Sequence, residues 1–502
     1  MTTHDIIVIG GGAGGLSVAS GCAQLGMKVA LIEREHMGGD CLHFGCVPSK
    51  ALLHIADQCA AARSAARFSR ALGRVSASAP DAAADVDMAA VNRRIAEVID
   101  AIAHHDSVER FEGLGAEVFP GSAEFTSSNE VVVNDRRLSA RRVVIATGSR
   151  AAIPPVPGLD EGNYLTNRDV FSLPQIPRSI AVMGAGPIGV ELGQAFHRLG
   201  SNVTLIEMAP RILPRDDADL AAIVHARLVA EGVTVWTGAR VERVERLPHS
   251  ARLHLVTDAA SPVGSSDASS GNTTLDVERV LVAAGRTANS DGLNLSAAGL
   301  EAGRGGVIPV DDRLRTAVPH IYAIGDVNGI LPFTHVAGAE AGVIVRRVAL
   351  HAGGRMNYRA VPWVSYTDPE LASVGLSQDA AEREGVPHRV IHQPLSGVDR
   401  AHAEEATDGL AKFVLDRKDR VIGVQIAAPG AGELLGPALH AVTHRWKFTA
   451  LRGAMVPYPT MLELYGRAVS AELAPKLFNP RVRRILRTLF RYRGTGPSGG
   501  GR

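Results

Sequence analysis

Short apolar runs stopped by glycine dominate the first two-thirds of the chain. Ile6-Ile-Val-Ile9 leads into a glycine turn, a helical stretch and a second run, Val29-Ala-Leu-Ile32, that ends in Glu33. The same plan returns at Ile180-Ala-Val-Met183, followed by a glycine turn, a helix and Val203-Thr-Leu-Ile206 ending in Glu207. In both copies the third glycine of the turn precedes the acid by 18 residues (33 minus 15, 207 minus 189). Arg142-Val-Val-Ile-Ala146, Val280-Leu-Val-Ala-Ala284 and Ile321-Tyr-Ala-Ile324 run into Thr147-Gly148, Gly285 and Gly325. Continuous apolar runs of this length predict parallel strands buried on both faces, their carboxyl ends turned toward a ligand crevice.

Elsewhere the pattern changes. Residues 257–274 are rich in Ser, Gly, Asp and Thr without periodicity and predict a mobile hairpin tip. Proline-rich stretches at 154–157 and 174–177 mark a crossing between the two repeated units. After about residue 350, strands alternate with helices without a further glycine turn, which predicts a third domain. From Pro480 to Arg493 there are six Arg and no acid, with Val482, Ile485, Leu486, Leu489 and Phe490 at helical spacing. That segment reads either as a solvated helix docked on the body or as an interfacial helix drawn to anionic lipid.

Composition narrows the field. A chain of 502 residues suggests about three domains at roughly 150 residues each. A net charge of +1 argues against nucleic acid or an acidic polymer as partner. No apolar run reaches the ~18 residues needed to span a bilayer, and the first strand starts without a cationic leader, so a cytoplasmic protein is expected. The 53 glycines suit tight strand-to-helix turns that bring backbone close to a ligand. Only four cysteines occur, at 22, 41, 46 and 59, too few for a secreted disulfide scaffold.

Chemistry concentrates in three places. Gly10-Gly-Gly12-Ala-Gly-Gly15 and Gly184-Ala-Gly186-Pro-Ile-Gly189 both match G-x-G-x-x-G. In that motif the glycines allow the turn, the approach of a pyrophosphate and close helix packing, while the helix N-terminus attracts phosphate. Glu33 and Glu207 stand where a ribose hydroxyl is bound, and at the second site this favours NADH over NADPH, although Arg211 and Arg215 lie close behind. The third place is Cys41-Leu-His-Phe-Gly-Cys46. Residues five apart on an ideal helix have Cα atoms roughly 8–9 Å apart, and a disulfide tolerates at most about 7 Å. A bridge therefore closes only where the helix starts or is distorted, which tends to give a reducible bond. Two unrelated buried thiols and a metal site are the alternatives. A metal site has only His43 and His54 nearby as further ligands, and no metal centre is expected.

Gly38-Gly-Asp-Cys41-Leu-His-Phe-Gly-Cys46-Val-Pro-Ser-Lys50 resembles the active-site signature of the FAD-dependent pyridine nucleotide-disulfide oxidoreductases, which include dihydrolipoamide dehydrogenase, glutathione reductase and mercuric reductase. About residues 4–475 follow the family order, through Ala146-Thr-Gly-Ser149, Gly189-Val-Glu191, Gly285-Arg-Thr-Ala-Asn289, Ala323-Ile-Gly-Asp326 and the segment from Val361 to Gly375. The resemblance implies an α/β fold with two doubly wound Rossmann-like nucleotide-binding domains and a C-terminal α+β dimerisation domain. Its segments would be FAD-binding at 1–150 and 283–350, NAD(P)-binding at 151–282, dimerisation at 351–475 and a basic tail at 476–502.

It also implies roles. Cys46 would exchange electrons with the flavin, and Cys41 would be the outer thiol that meets the acceptor. Lys50 and Glu191 would pair near the reactive flavin nitrogen, the cation favouring the Cys46 thiolate. FAD would be held by Gly10, Gly12, Gly15, Glu33, Gly39, Lys50, Ala123, Thr147, Gly148, Asp326 and Ala337. The nicotinamide coenzyme would be held by Gly184, Gly186, Gly189, Glu207, Val241, Gly285 and Arg286. His335 is ambiguous, equally a packed residue and a catalytic one. Electrons would pass from NADH to flavin, to the Cys41–Cys46 disulfide, and on to an acceptor in a homodimer.

Two departures matter. Disulfide-handling members carry a C-terminal His-Pro-x-x-x-Glu segment whose His moves protons, whereas here Tyr458-Pro459-Thr-Met-Leu-Glu463 places a tyrosine there. A phenol with a reference pKa of about 10 is a poor base near neutrality. The pattern looks like mercuric reductase, yet no cysteine follows Cys59 to deliver a metal, and no amino-terminal metal-binding domain is expected. Asp40 also replaces the usual Thr before the first active cysteine. The expected function is an NAD(P)H-dependent, mercuric-reductase-like oxidoreductase acting on a metal ion, quinone or disulfide, with catalytic Cys41, Cys46, Lys50, Glu191, Tyr458 and Glu463. The alternatives are a dihydrolipoamide dehydrogenase of a 2-oxo acid complex and a redox-sensing or membrane-docking flavoprotein with a weak lipid contact through 480–493.

Overall fold

The computed structural model describes residues 3–65, 68, 86–159, 162, 164–257 and 271–494. The repeated apolar runs form two parallel sheets. In the first, the strands Ala116–Pro120, Val29–Glu33, His4–Ile9, Arg136–Ile145 and Ile321–Ala323 lie side by side, all parallel. Glu130–Val133 and Glu124–Ser127 extend it as an antiparallel margin. Ile6 and Val8 face one core with Leu31, Val144 and the helices Ala13–Gln24 and Thr334–Val348. Ile7 and Ile9 face another with Ile32, Val143, Ile145 and Phe125. Because both faces are covered, polar alternation is absent from these strands.

The second sheet has the parallel order Thr234–Thr237, Asn202–Glu207, Ser179–Met183, Arg279–Val282. A three-stranded antiparallel sheet (Ala239–Arg246, Ala251–Thr257, Asn272–Val277) covers one face, packing Val241, Leu253 and Leu255 against Ala181, Met183, Val280 and Val282. The strands Ala251–Thr257 and Asn272–Val277 pair as a hairpin, and residues 258–270 of the expected tip lie outside the described residues.

The chain divides into two compact units: Met1–Val361 with Ser365–Thr367, and Pro362–Val364 with Asp368–Arg502. The first holds both parallel sheets. The second is built on Glu370–Gly375, Val421–Ala428, Leu410–Asp416 and His388–Pro394, paired antiparallel in that order, with Pro362–Ser365 at the edge. Its core stacks Phe413 edge-on to Phe448 and Tyr465. Among the described residues no helix is long and apolar enough to cross a membrane.

Candidate active site

The cysteine segment follows the first parallel unit. Gly38 and Gly39 take positive φ values of 95° and 65°, and the short helix Gly39–His43 then breaks at Phe44-Gly45 before Cys46–Ala65 begins. A Cβ on Gly45 would sit 2.9 Å from the Asp40 carbonyl oxygen, closer than real contacts allow, and 3.0 Å from the Cys41 Cα, tighter than most. Glycine therefore lets the chain fold back and brings the two cysteines to the break, as the helix-start argument requires. Both are thiols here, Cys46 exposed and Cys41 half-buried. Cys46 opens the 20-residue helix Cys46–Ala65, whose N-terminus favours an anion.

The surroundings separate the two thiols electrically. The Cys46 thiol is held below its ordinary value, at about 6, chiefly by a hydrogen bond from Cys41 and against the cost of burial. The Lys50 charge and the Thr334 hydroxyl lower it further, and Glu191 opposes them. Cys41 is pushed well above the ordinary thiol range, first by its hydrogen bond to Cys46 and then by burial. Near neutrality Cys46 carries the thiolate and Cys41 the proton.

The segment singled out for His335 contributes its neighbour instead. Thr334 Oγ1 donates to Cys41 Sγ at 3.1 Å and lies 3.8 Å from Cys46 Sγ, while the His335 ring stacks on Phe333. No sequence signal distinguished a hydroxyl 288 residues beyond Cys46. Lys50, one helical turn after Cys46, places Nζ 2.7 Å from Glu191 Oε2, and Glu191 belongs to the helix Pro187–Arg198 after the second glycine turn. Glu191 is buried, and its other oxygen accepts the Tyr366 backbone N–H at 2.9 Å. The Tyr366 ring centroid lies 4.2 Å from Lys50 Nζ.

The two glycine turns have the shape that the G-x-G-x-x-G motif takes where it meets a pyrophosphate. A Cβ on Gly15 would lie 1.9 Å from the Gly10 carbonyl oxygen, and one on Gly189 equally close to that of Gly184, so strand and helix abut there. Gly12 and Gly186 face open space instead, which is where backbone meets a phosphate. Each acid is clamped by its own turn: Glu33 accepts N–H groups from Gly11 and Glu35, and Glu207 from Ala185 and Ala209. Arg211 turns back onto the carbonyls of Pro214 and Asp216.

The remaining expected residues fall into two groups. Gly39 packs against Gly12, so the cysteine loop borders the first turn. Thr147 Oγ1 is buried with no hydrogen-bond partner among the described residues, and Gly148 beside it has φ +68°. Such an orphaned hydroxyl, with the open Gly12 face, fits a bound FAD. Ala337 lies against Gly14 and Gly325. Ala123 and Val241, in contrast, point their side chains into cores, so any coenzyme contact there is through main chain. Gly285 has φ +119° and its carbonyl accepts from Ala152 N.

Arg286, grouped above with the nicotinamide residues, lies beside Asp40, Ser149 and Asp326. It donates to Asp40 at 2.8 Å and to the Ser149 hydroxyl at 2.6 Å, and its Nε lies 3.6 Å from Asp326. Ser149 in turn donates to Asp326. This accounts for Asp40: the carboxylate that replaces a threonine is paired with a guanidinium. Sequence reasoning also missed Glu340, fully buried, which accepts from Gly325 N at 2.6 Å, from Asn328 and from the Tyr358 hydroxyl. Burial raises its carboxyl above the usual range, and its bonds hold the turn that carries Asp326.

In the smaller unit, the exposed Tyr458 donates to Asp399 at 3.2 Å, and Arg467 bridges Asp399 at 3.0 Å and Glu463 at 3.6 Å. The Asp399 carboxylate raises the Tyr458 phenol above its ordinary value, so the hydroxyl stays protonated. One Glu463 oxygen, Oε2, is buried without a partner among the described residues. Among the described residues no group of three or more His, Cys, Asp or Glu is arranged to hold a metal ion.

Comparison with known proteins follows the same division. Residues 4–341 match the family model described as pyridine nucleotide-disulphide oxidoreductase, and 361–469 match that family's dimerisation domain. A mercuric reductase of Bacillus cereus is 34% identical over 92% of this chain and 70% of its own length. A dihydrolipoyl dehydrogenase of Chlamydia muridarum is 31% identical over 96% of this chain and 99% of its own. Among solved structures, the Cu(II) complex of the HOCl-induced flavoprotein disulfide reductase RclA from Escherichia coli superimposes with a TM-score of 0.79 at 26% identity, covering 94% of this chain and 100% of that one.

Proposed function

Because the chain belongs to the pyridine nucleotide-disulphide oxidoreductases, a family of FAD enzymes that use a nicotinamide coenzyme and a redox-active disulfide, we propose how its own residues divide that work. Cys41 and Cys46 are the redox pair: oxidation of the Cys46 thiolate and the Cys41 thiol passes two electrons to an acceptor, releases the Cys41 proton and leaves the disulfide. Bound FAD supplies two-electron exchange with the nicotinamide and with the pair. The turn at Gly10, Gly12 and Gly15, with Glu33, Thr147, Gly148 and Asp326, holds FAD. The turn at Gly184, Gly186 and Gly189 holds the coenzyme, and the Glu207 carboxylate disfavours a 2′-phosphate, which makes NADH the preferred donor. Lys50, held by Glu191, keeps Cys46 ionised. The FAD-binding segments are 1–150 and 283–350, the NAD(P)-binding domain is 151–282, and 351–475 forms a homodimer.

The acceptor is of the mercuric-reductase type, a metal ion or quinone. The observation that carries this reading is Tyr458, a neutral phenol hydrogen-bonded to Asp399 where thiol-exchanging members place an imidazole base. A dihydrolipoamide dehydrogenase is the second reading, favoured by the full-length match to the Chlamydia muridarum enzyme. Anaerobic NADH oxidation with lipoamide, Hg(II) and a soluble quinone side by side separates them. Brisk Hg(II) or quinone turnover with negligible lipoamide turnover is expected, and fast lipoamide turnover would promote the second reading.

A further inference from the structure

The match to the dimerisation domain ends at residue 469, and the helix Pro480–Phe490 lies beyond it. The helix is well started: Pro480 stands in the first turn and the Asn479 side chain accepts the Val482 N–H at 2.9 Å. None of its residues is buried. At about 100° per residue, Val482, Ile485, Leu486, Leu489 and Phe490 fall on one stripe roughly 140° wide; Arg481 and Arg483 flank it, and Arg484 and Arg487 take the opposite side. The stripe is partnered only in part. Val482 and Leu486 are half-buried, but Ile485, Leu489 and Phe490 are 56%, 68% and 60% exposed. The Tyr492 ring stacks on Phe490 at 5.7 Å, placing an aromatic pair with a polar hydroxyl at the end of the apolar stripe. Leu477 and Phe478, also exposed, continue the apolar surface before the helix.

We propose that this helix is a docking element for an anionic lipid bilayer surface, with the stripe at the headgroup boundary and the arginines against lipid phosphates. Charge selects the occupant. Six Arg without an acid between Pro480 and Arg493 repel a second copy of the same helix and match a surface of negative headgroups. Nucleic acid would satisfy the arginines but leave Ile485, Leu489 and Phe490 in water. Only a surface that is anionic outside and apolar beneath satisfies both faces, and arginines flanking the stripe reach its headgroups while their stems cover its margin. The inference stands apart from the identity of the electron acceptor.

Cosedimentation of the full-length, FAD-loaded protein tests it, with phosphatidylcholine vesicles compared with vesicles that also contain phosphatidylglycerol. The partition coefficient is expected to be about tenfold or more higher for the anionic vesicles and to fall as salt is raised. Two variants, Ile485→Asp with Leu489→Asp, and Arg483→Glu with Arg487→Glu, are each expected to abolish the preference while keeping NADH turnover with a soluble acceptor. Equal or absent pelleting with both vesicle types overturns the proposal. So does anionic binding that survives both variants. A fall in oligomer mass by light scattering in the first variant, with no vesicle binding by the parent protein, overturns it in favour of a second copy.

Discussion

The ammonium of Lys50 lies 2.7 Å from Oε2 of Glu191, tying the helix that begins at Cys46 to the helix that follows the second glycine turn. The pair is held from a third place, since Tyr366 donates its backbone N–H to Glu191 and lays its ring over Lys50. Three segments distant in sequence thus place one positive charge beside the thiolate. Removing it with Lys50→Gln is expected to move the Cys46 thiol from about 6 toward the usual thiol value near ~8.5. The sign is that of a depressed acid: thiolate present above about 6 is lost as pH falls through that value, and in the variant it is lost already near neutrality. Long-wavelength thiolate-to-flavin absorbance of the two-electron-reduced enzyme, titrated with pH, reads this directly. An unmoved midpoint would show that Lys50 does not act on Cys46. Tyr366→Leu is expected to shift the midpoint in the same direction by less, because it loosens the cation and does not remove it.

Thr334 touches both sulfurs, so Thr334→Val removes a hydroxyl that donates to Cys41 and also lowers Cys46. A smaller rise of the same midpoint is expected, with turnover reduced by about threefold to tenfold, as for loss of one hydrogen bond worth roughly 1 kcal/mol. Turnover and midpoint both equal to the parent's would make the contact incidental.

Asp40 and Arg286 form a partly buried pair, their side chains 32% and 19% exposed. Arg286→Ala leaves Asp40 and Asp326 without their shared cation, and a loss of about 1–2 kcal/mol in the stability of the FAD-loaded enzyme is expected. Restoring the threonine in the double variant, Arg286→Ala with Asp40→Thr, should recover part of it. Thermal or denaturant melts arranged as a double-mutant cycle measure the coupling, and strict additivity would deny it.

Glu207→Ala is expected to weaken NADH binding by about tenfold while leaving NADPH nearly unchanged, since only a free 2′-hydroxyl gains from the carboxylate. Steady-state KM values for the two coenzymes decide, and the opposite order would reverse the coenzyme assignment.

Tyr458→His installs an imidazole where the phenol now stays protonated on Asp399. Lipoamide turnover is expected to rise at least about tenfold, the usual lower range of general acid–base gains being ~10², with a new pH limb near the histidine value of about 6.5. No gain would mean that the phenol is not what limits thiol exchange.

Much of this molecule was legible along the chain. The central strands of both parallel sheets and the repeat follow from apolar runs stopped by glycine, because each is a local pattern with one stable use; the edge strands Ala116–Pro120 and Thr234–Thr237 carry no such run. The cysteine motif was equally plain, and Gly45 between its cysteines shows why: only a residue without a side chain permits the break that brings Cys41 to Cys46.

What tertiary structure alone decided is which distant groups meet. Thr334 reaches the sulfurs, Tyr366 covers Lys50, Arg286 pairs with Asp40 and Glu340 holds the turn before Asp326. None carries a periodic or spaced signal, because a side-chain contact between segments far apart depends on how sheets and helices pack and leaves no mark on its neighbours in sequence. The electrical difference between two chemically identical thiols belongs to the same class. The residues of the motif name the pair; the charges and hydrogen bonds brought to it by folding determine which sulfur ionises.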